Sequence, residues 1–143
     1  MEKSLDSYFS DILGVKYTEP NDYSPLSLAY IGDSVFDLLV KTVVVTENNR
    51  QAYKYHKEVS RYVKAESQAK YMEYLLENNL LTEEEEWIYK RGRNTKTHST
   101  AKNATVGQYR IATGFESLIG YLYLKKNYDR LFTIVKHVFE TDV

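Results

Sequence analysis

An all-α fold is the expectation from this sequence, and three observations carry it. Apolar residues recur at helical steps of three and four through most of the chain. Both prolines, Pro20 and Pro25, fall near the start, and no Asn-Gly or Asp-Gly hairpin signal occurs. At 143 residues, with 43% apolar and 27% charged side chains, the chain suits one domain with a real core rather than a disordered segment.

The elements follow in order. A short first helix is expected from Leu5 to Leu13, ended by Gly14. Ser24 then Pro25 reads as an N-cap and first helical turn, opening a long helix that runs to about Val45 and breaks at Asn48-Asn49. Residues 51–77 form one or two helices, with Val59, Tyr62, Val63, Ala69, Met72 and Leu76 on the inner spacing. Thr82 and Glu85 make a capping box. The Glu83–Glu86 run therefore suits the positive end of a helix dipole, and its structural reading outweighs a metal site. From Lys90 to Tyr109 hydroxyl and amide residues replace apolar periodicity, and a loop is expected at least as far as Thr105. The last two helices should cover about Gln108 to Lys126 and Tyr128 to Phe139.

Composition excludes several classes of function. A formal net charge of -1 argues against a uniformly basic coat for nucleic acid, though not against a local patch. The absence of cysteine removes disulfides, thiol nucleophiles and thiolate-bound zinc, and fits a reducing cytoplasm. Met1-Glu2-Lys3-Ser4-Leu5-Asp6 lacks the plan of a secretory signal, and Asp33, Asp37, Glu116 and Lys125 interrupt every long apolar stretch. No membrane association is expected, and a cytoplasmic location is.

Two acids stand out. Asp33 shares a helix side with Leu26, Ala29 and Tyr30, and Glu116 lies in the apolar run Phe115 to Leu122. Carboxylates are rarely placed among hydrocarbon unless paired with a cation or a metal. If the fold joins these segments, the pair makes an oxygen site for a hard divalent ion. Gly32 and Gly120, each beside one of these stretches, suggest close approach of a second helix. Separate structural ion pairs remain an open alternative on residue types alone. The basic stretch is the second candidate. Lys90, Arg91, Arg93, Lys96, Lys102 and Arg110 fall between Trp87 and Phe115 with no acid among them. Cations among Asn, Ser, Thr and Gly suit phosphate and 2′-hydroxyl contacts, although a solvated loop is an equal alternative. His56, His98 and His137 show no metal spacing, and the fourteen tyrosines mostly fit packing.

Leu28-Ala29-Tyr30-Ile31-Gly32-Asp33-Ser34-Val35 resembles the ribonuclease III signature Leu-Glu-Phe-Leu-Gly-Asp-Ala-Val. The stretch Phe115-Glu116-Ser117-Leu118-Ile119-Gly120 resembles that family's second motif, Phe-Glu-Ala-Leu-Ile-Gly, in the same order and spacing. The short bacterial Mini-ribonuclease III branch is similar in further places: Glu83 to Glu86, Lys90 to Asn94, and Ser67-Gln68-Ala69. The resemblance spans residues from about Pro25 to the last helix. It implies an N-terminal extension over residues 1–20 and a ribonuclease III-type catalytic domain over 21–143, with no separate RNA-binding domain. Longer members carry further acids where this chain has Leu26, Ala29 and Thr113.

The resemblance implies a homodimeric, Mg²⁺-dependent endoribonuclease that hydrolyses double-stranded RNA. Asp33 and Glu116 would be its catalytic and metal-binding residues, and Arg91, Arg93, Asn94, Lys96 and Lys102 its RNA contacts. It further implies 23S ribosomal RNA precursor as substrate and a large-subunit ribosomal protein as a helper. The alternatives are a catalytically silent RNA-binding protein of the same fold and a helical adaptor. Part of the apolar run Phe115, Leu118, Ile119, Leu122 and Tyr123 is expected at the subunit interface, together with the signature helix.

Overall fold

A computed structural model describes residues 2–47, 49, 51–95 and 105–141. Seven α-helices are described: α1 (Leu5–Leu13), α2 (Pro25–Glu47), α3 (Ala52–Val63), α4 (Ala65–Glu77), α5 (Glu83–Asn94), α6 (Val106–Leu124) and α7 (Tyr128–Glu140). A 3₁₀ turn at Pro20–Asp22 precedes α2, and no strand occurs among the described residues.

Local chemistry sets most of the boundaries. Gly14 adopts a left-handed φ of 69°, and the Val15 amide returns to the Phe9 carbonyl at 3.1 Å, closing α1. Ser24 Oγ accepts the Ser27 amide at 3.1 Å at the head of α2. Residues 51–77 divide into two helices because Lys64 is extended, with ψ 153°. The carbonyls thereby freed at the end of α3 are taken up by α4: Ser67 Oγ donates to Arg61 O (2.6 Å), Gln68 Nε2 to Val63 O (2.9 Å) and Tyr71 Oη to Tyr62 O (2.9 Å). The capping box forms, with the Glu85 amide on Thr82 Oγ1 at 3.1 Å and the Thr82 amide on Glu85 Oε1 at 2.9 Å.

The basic stretch departs from expectation. Lys90 to Asn94 are not loop but the last turns of α5, where Arg91 and Arg93 complement the negative end of the helix dipole. A tertiary reason adds to this: a side chain on Gly92 would strike Ser117 and Gly114 of α6, so α5 and α6 pack in close contact there. Thr105 is the N-cap of α6, its hydroxyl accepting from the Gln108 amide at 3.0 Å, so that helix starts at Val106. Lys96, His98 and Lys102 lie outside the described residues.

Helix α6 is the centre of the fold, flanked by α2, α4 and α5. Phe115, Leu118, Ile119 and Leu122 are buried within the protomer itself, each contributing about 1.5–3 kcal/mol by leaving water. Their expected share in a subunit interface is therefore not observed: α6 consumes that surface in its own core, and only Tyr123 of the set remains partly exposed. Phe36 meets Tyr71 and Phe115 edge to face, and Tyr71 and Phe115 are tilted against each other, with centroids 5.1 to 6.2 Å apart, joining α2, α4 and α6. The N-terminal segment is tied to the start of α7, where Tyr128 Oη donates to Asp6 at 3.0 Å and Lys126 lies 4.2 Å from the Tyr17 ring centroid. No described helix is long and apolar enough to cross a membrane.

Candidate active site

Helices α2 and α6 meet without side chains between them. A methyl group on Gly32 would collide with the Glu116 carbonyl oxygen, and one on Gly120 with the Leu28 carbonyl oxygen. Two glycines thus let the backbones touch, as their positions in the sequence suggested. Since Asp33 follows Gly32 and Glu116 stands one turn before Gly120, this crossing brings the two carboxyl groups within hydrogen-bonding reach.

Their environments differ from the sequence expectation in one respect. The buried stripe of α2 runs through Leu28, Gly32, Val35, Phe36, Val40 and Val44. Asp33 lies one step, about 100° of helix rotation, from the Gly32 contact and is exposed at the rim of the stripe, not within it. Glu116 is half-buried. Burial, and then the hydrogen bond and like charge of Asp33, push its carboxyl up to about 9, against a weaker opposing bond from Gln68. Without a cation Glu116 therefore keeps its proton at neutral pH, beside Asp33.

The donor set fits a hard divalent cation. It is all oxygen and carries two carboxylates whose mutual repulsion a cation would relieve. Among the described residues no cluster of three or more His, Cys, Asp or Glu occurs, so the rest of the shell would come from water and substrate phosphate, as is usual for Mg²⁺. Thr113, at a place where longer ribonucleases III carry an acid, is buried and donates its hydroxyl to the Tyr109 carbonyl at 3.0 Å. Ser117, beside Glu116, is fully buried and its hydroxyl faces the Pro25 and Thr113 carbonyls at 2.9 Å each, tying α6 to the head of α2.

The basic candidates that are described lie at the end of α5. Arg91 stacks on the half-exposed Trp87 at 4.8 Å, with its Nη1 buried and without a partner. Arg93 lies 5.5 Å from the Tyr89 ring centroid and donates from Nε to Asn94 Oδ1 at 3.1 Å. Arg93, Asn94 and Arg110 face one pocket of about 240 Å³ with Gly107 and Ile111. A second basic surface was not singled out from the sequence. Lys54, Lys57 and Arg61 repeat at helical steps of three and four along α3 and, with Lys64 just past its end, line a groove of about 830 Å³. That spacing was the available signal, masked by the near-neutral charge of the chain as a whole. The Gln68–Val63 bond ties the end of this stripe to α4, which packs against α6.

A helical domain with paired carboxylates at a glycine-lined crossing and cations beside it has the layout of a metal-assisted nuclease. Comparison with known proteins defines it further. The Ribonuclease III domain model matches residues 26–127. A Mini-ribonuclease 3 of Enterococcus faecalis is 46% identical over 106 residues, covering 74% of this chain and 80% of its own length. A Mini-ribonuclease 3 of Thermoanaerobacter sp. is 41% identical over 136 residues, covering 95% and 94%. A crystal structure of a Fusobacterium nucleatum protein superimposes with a TM-score of 0.76 at 30% identity, covering 86% of this chain and 97% of that one. The chain belongs to the ribonuclease III family, in its Mini-ribonuclease 3 branch, and is an endoribonuclease.

Proposed function

We propose that this chain is a Mg²⁺-dependent endoribonuclease that cleaves double-stranded RNA, with Asp33 and Glu116 as its catalytic and metal-binding residues. One observation carries the reading: the α2–α6 crossing sets two carboxyl groups against each other, leaving Glu116 protonated unless a cation arrives. The general dependence of ribonucleases III on a divalent metal supports it. Bound between the two acids, Mg²⁺ would supply activation of water and neutralise charge on the phosphoryl oxygens. Asp33, at the rim, would present its carboxylate to the metal from the solvent side, and Glu116, once ionised, would hold it from the core side.

The cations hold the duplex. Arg91, Arg93 and Asn94 on α5, with Lys96 and Lys102 following in the chain, would meet phosphates and 2′-hydroxyls of an A-form helix. Arg110, which shares a pocket with Arg93 and Asn94, and the α3 stripe would add further cations to that surface. Such contacts read shape with little base information. A homodimer would set one site near each strand, as ribonuclease III enzymes act on duplex RNA as dimers. The apolar groove among Leu5, Phe9, Ile31, Leu38, Tyr123 and Phe132, of about 630 Å³, supplies surface for that contact in place of the α6 core residues. The substrate is then 23S ribosomal RNA precursor, handled in the cytoplasm with a large-subunit ribosomal protein as helper.

Long double-stranded RNA incubated with the purified protein, with and without Mg²⁺, tests the reading. Cleavage should require the metal, and sedimentation at micromolar concentration should report a dimer. Salt-sensitive binding without cleavage would make the chain a catalytically silent member of its family. A fully active monomer would remove the two-strand arrangement.

A further inference from the structure

Several surface lysines lie beside acids. Lys41 meets Asp37 at 2.8 Å, Lys125 meets Glu84 at 2.6 Å, and Lys90 lies 3.9 Å from Glu86, four residues earlier on α5. Arg91, the next residue, breaks that pattern. Four residues before it stands Trp87, and the guanidinium carbon lies 4.8 Å from the indole centroid. Residues 88–114 contain no acid at all. Arg91 Nη1 is buried and meets no acceptor among the described residues, so the ring, rather than a hydrogen bond, holds the guanidinium.

Core packing does not account for this tryptophan. Trp87 is 50% exposed and stands outside the buried core. Tyr89, which meets Arg93 at the same spacing, is instead buried and packs against Gly114 of α6. An acid at position 87 could also hold Arg91, but it would neutralise the charge. An aromatic face orders a guanidinium and leaves its charge uncancelled.

We infer that Trp87 is a positioning residue for RNA binding: its indole face keeps Arg91 ordered and uncancelled in charge, ready for a phosphate of the duplex. The inference rests on the reading of Arg91 as an RNA contact. A cation ordered beforehand loses less conformational freedom when it meets its phosphate.

The affinity of the full chain for a short duplex RNA, measured by anisotropy with Mg²⁺ withheld, tests this. Trp87→Leu keeps apolar bulk and helix propensity but removes the aromatic face, whereas Trp87→Phe keeps a face. Trp87→Leu should weaken binding about two- to fivefold, the loss of one exposed stack. Trp87→Phe should restore most of that affinity. With Arg91→Ala already present, Trp87→Leu should change nothing further. Wild-type affinity in Trp87→Leu, or the same loss in the absence of Arg91, would overturn the inference. If Trp87→Leu does not fold, fluorescence of the wild-type chain decides, because Trp87 is its sole tryptophan. Saturating duplex should shift that emission and added salt should reverse the shift, and unchanged emission overturns the inference. Wild-type affinity and salt slope in Arg91→Ala would instead remove Arg91 from the RNA, so the two failures are distinct.

Discussion

Glu85 and Glu116 are both withdrawn from water, and the fold treats them in opposite ways. Glu85 is 4% exposed, yet each of its oxygens is occupied. Arg130 clamps it with Nη2 at 2.7 Å and Nε at 2.8 Å, and the Thr82 amide adds a third bond at 2.9 Å. Burial alone would raise this carboxyl, but those partners outweigh it and hold it below the usual range. Glu116 meets Asp33 where Glu85 meets Arg130, and rises to about 9. A satisfied buried acid joins two helices, here the head of α5 to α7. An unsatisfied one holds its proton at neutral pH until a cation replaces it, and that contrast separates site from scaffold.

The largest effect should come from removing charge at the unsatisfied pair. Asp33→Asn and Glu116→Gln should each lower cleavage of duplex RNA about a thousandfold or more while the protein stays folded, because several kcal/mol of metal-dependent stabilisation disappear. Single-turnover assays read this, and wild-type rate in either variant would release that residue from the site. At the other acid the loss should fall on stability. Arg130→Met strands Glu85 and frees the Leu80 carbonyl, which accepts from Arg130 Nη2 at 2.9 Å. Allowing for the part exposure of Arg130, denaturation should show a loss of about 2–4 kcal/mol, with cleavage retained wherever the protein is folded.

The two acids should also tilt stability against pH in opposite senses. For Glu116 the folded value of about 9 exceeds the ordinary 4.5, so the unfolded chain releases its proton first and stability falls as pH rises between them. Metal-free Glu116→Gln should therefore gain on wild type from pH 5 to pH 8, by roughly 1–3 kcal/mol at the upper end. Glu85 is depressed, so its contribution is present above the ordinary value and is lost as pH falls through its folded one. Denaturant melts across pH would show both slopes, and a flat difference for Glu116→Gln would contradict the raised value of Glu116. The smallest effect concerns the cations. Arg93→Ala should weaken binding to unrelated duplexes about equally and make the salt slope shallower by roughly one. An unchanged slope would put Arg93 outside the interface.

Much of this contrast was legible in the sequence, for identifiable reasons. Thr82, three residues before Glu85, marked the capped helix start, and Gly32 and Gly120 marked the crossing that joins Asp33 to Glu116. Three things were not legible. Helix α5 extends through Lys90–Asn94 because Gly92 packs on α6, a contact that local composition does not encode. Asp33 looked buried because helical spacing leaves the phase of the stripe open by one residue, and the α6 contact decides it at Gly32. Arg130 reaches Glu85 only through tertiary packing, so no spacing rule could pair them.

The proton held by Glu116 offers the most direct test of the acid pair as the metal site. Mn²⁺ binding at pH 7 can be followed by calorimetry in two buffers of different ionisation enthalpy, which counts the protons released. With Glu116 held at about 9, wild type should release close to one proton per ion, because the ligand must ionise to bind. Glu116→Gln should bind far more weakly and release none. Tight binding by wild type without proton release, or unchanged binding by Glu116→Gln, would contradict the assignment.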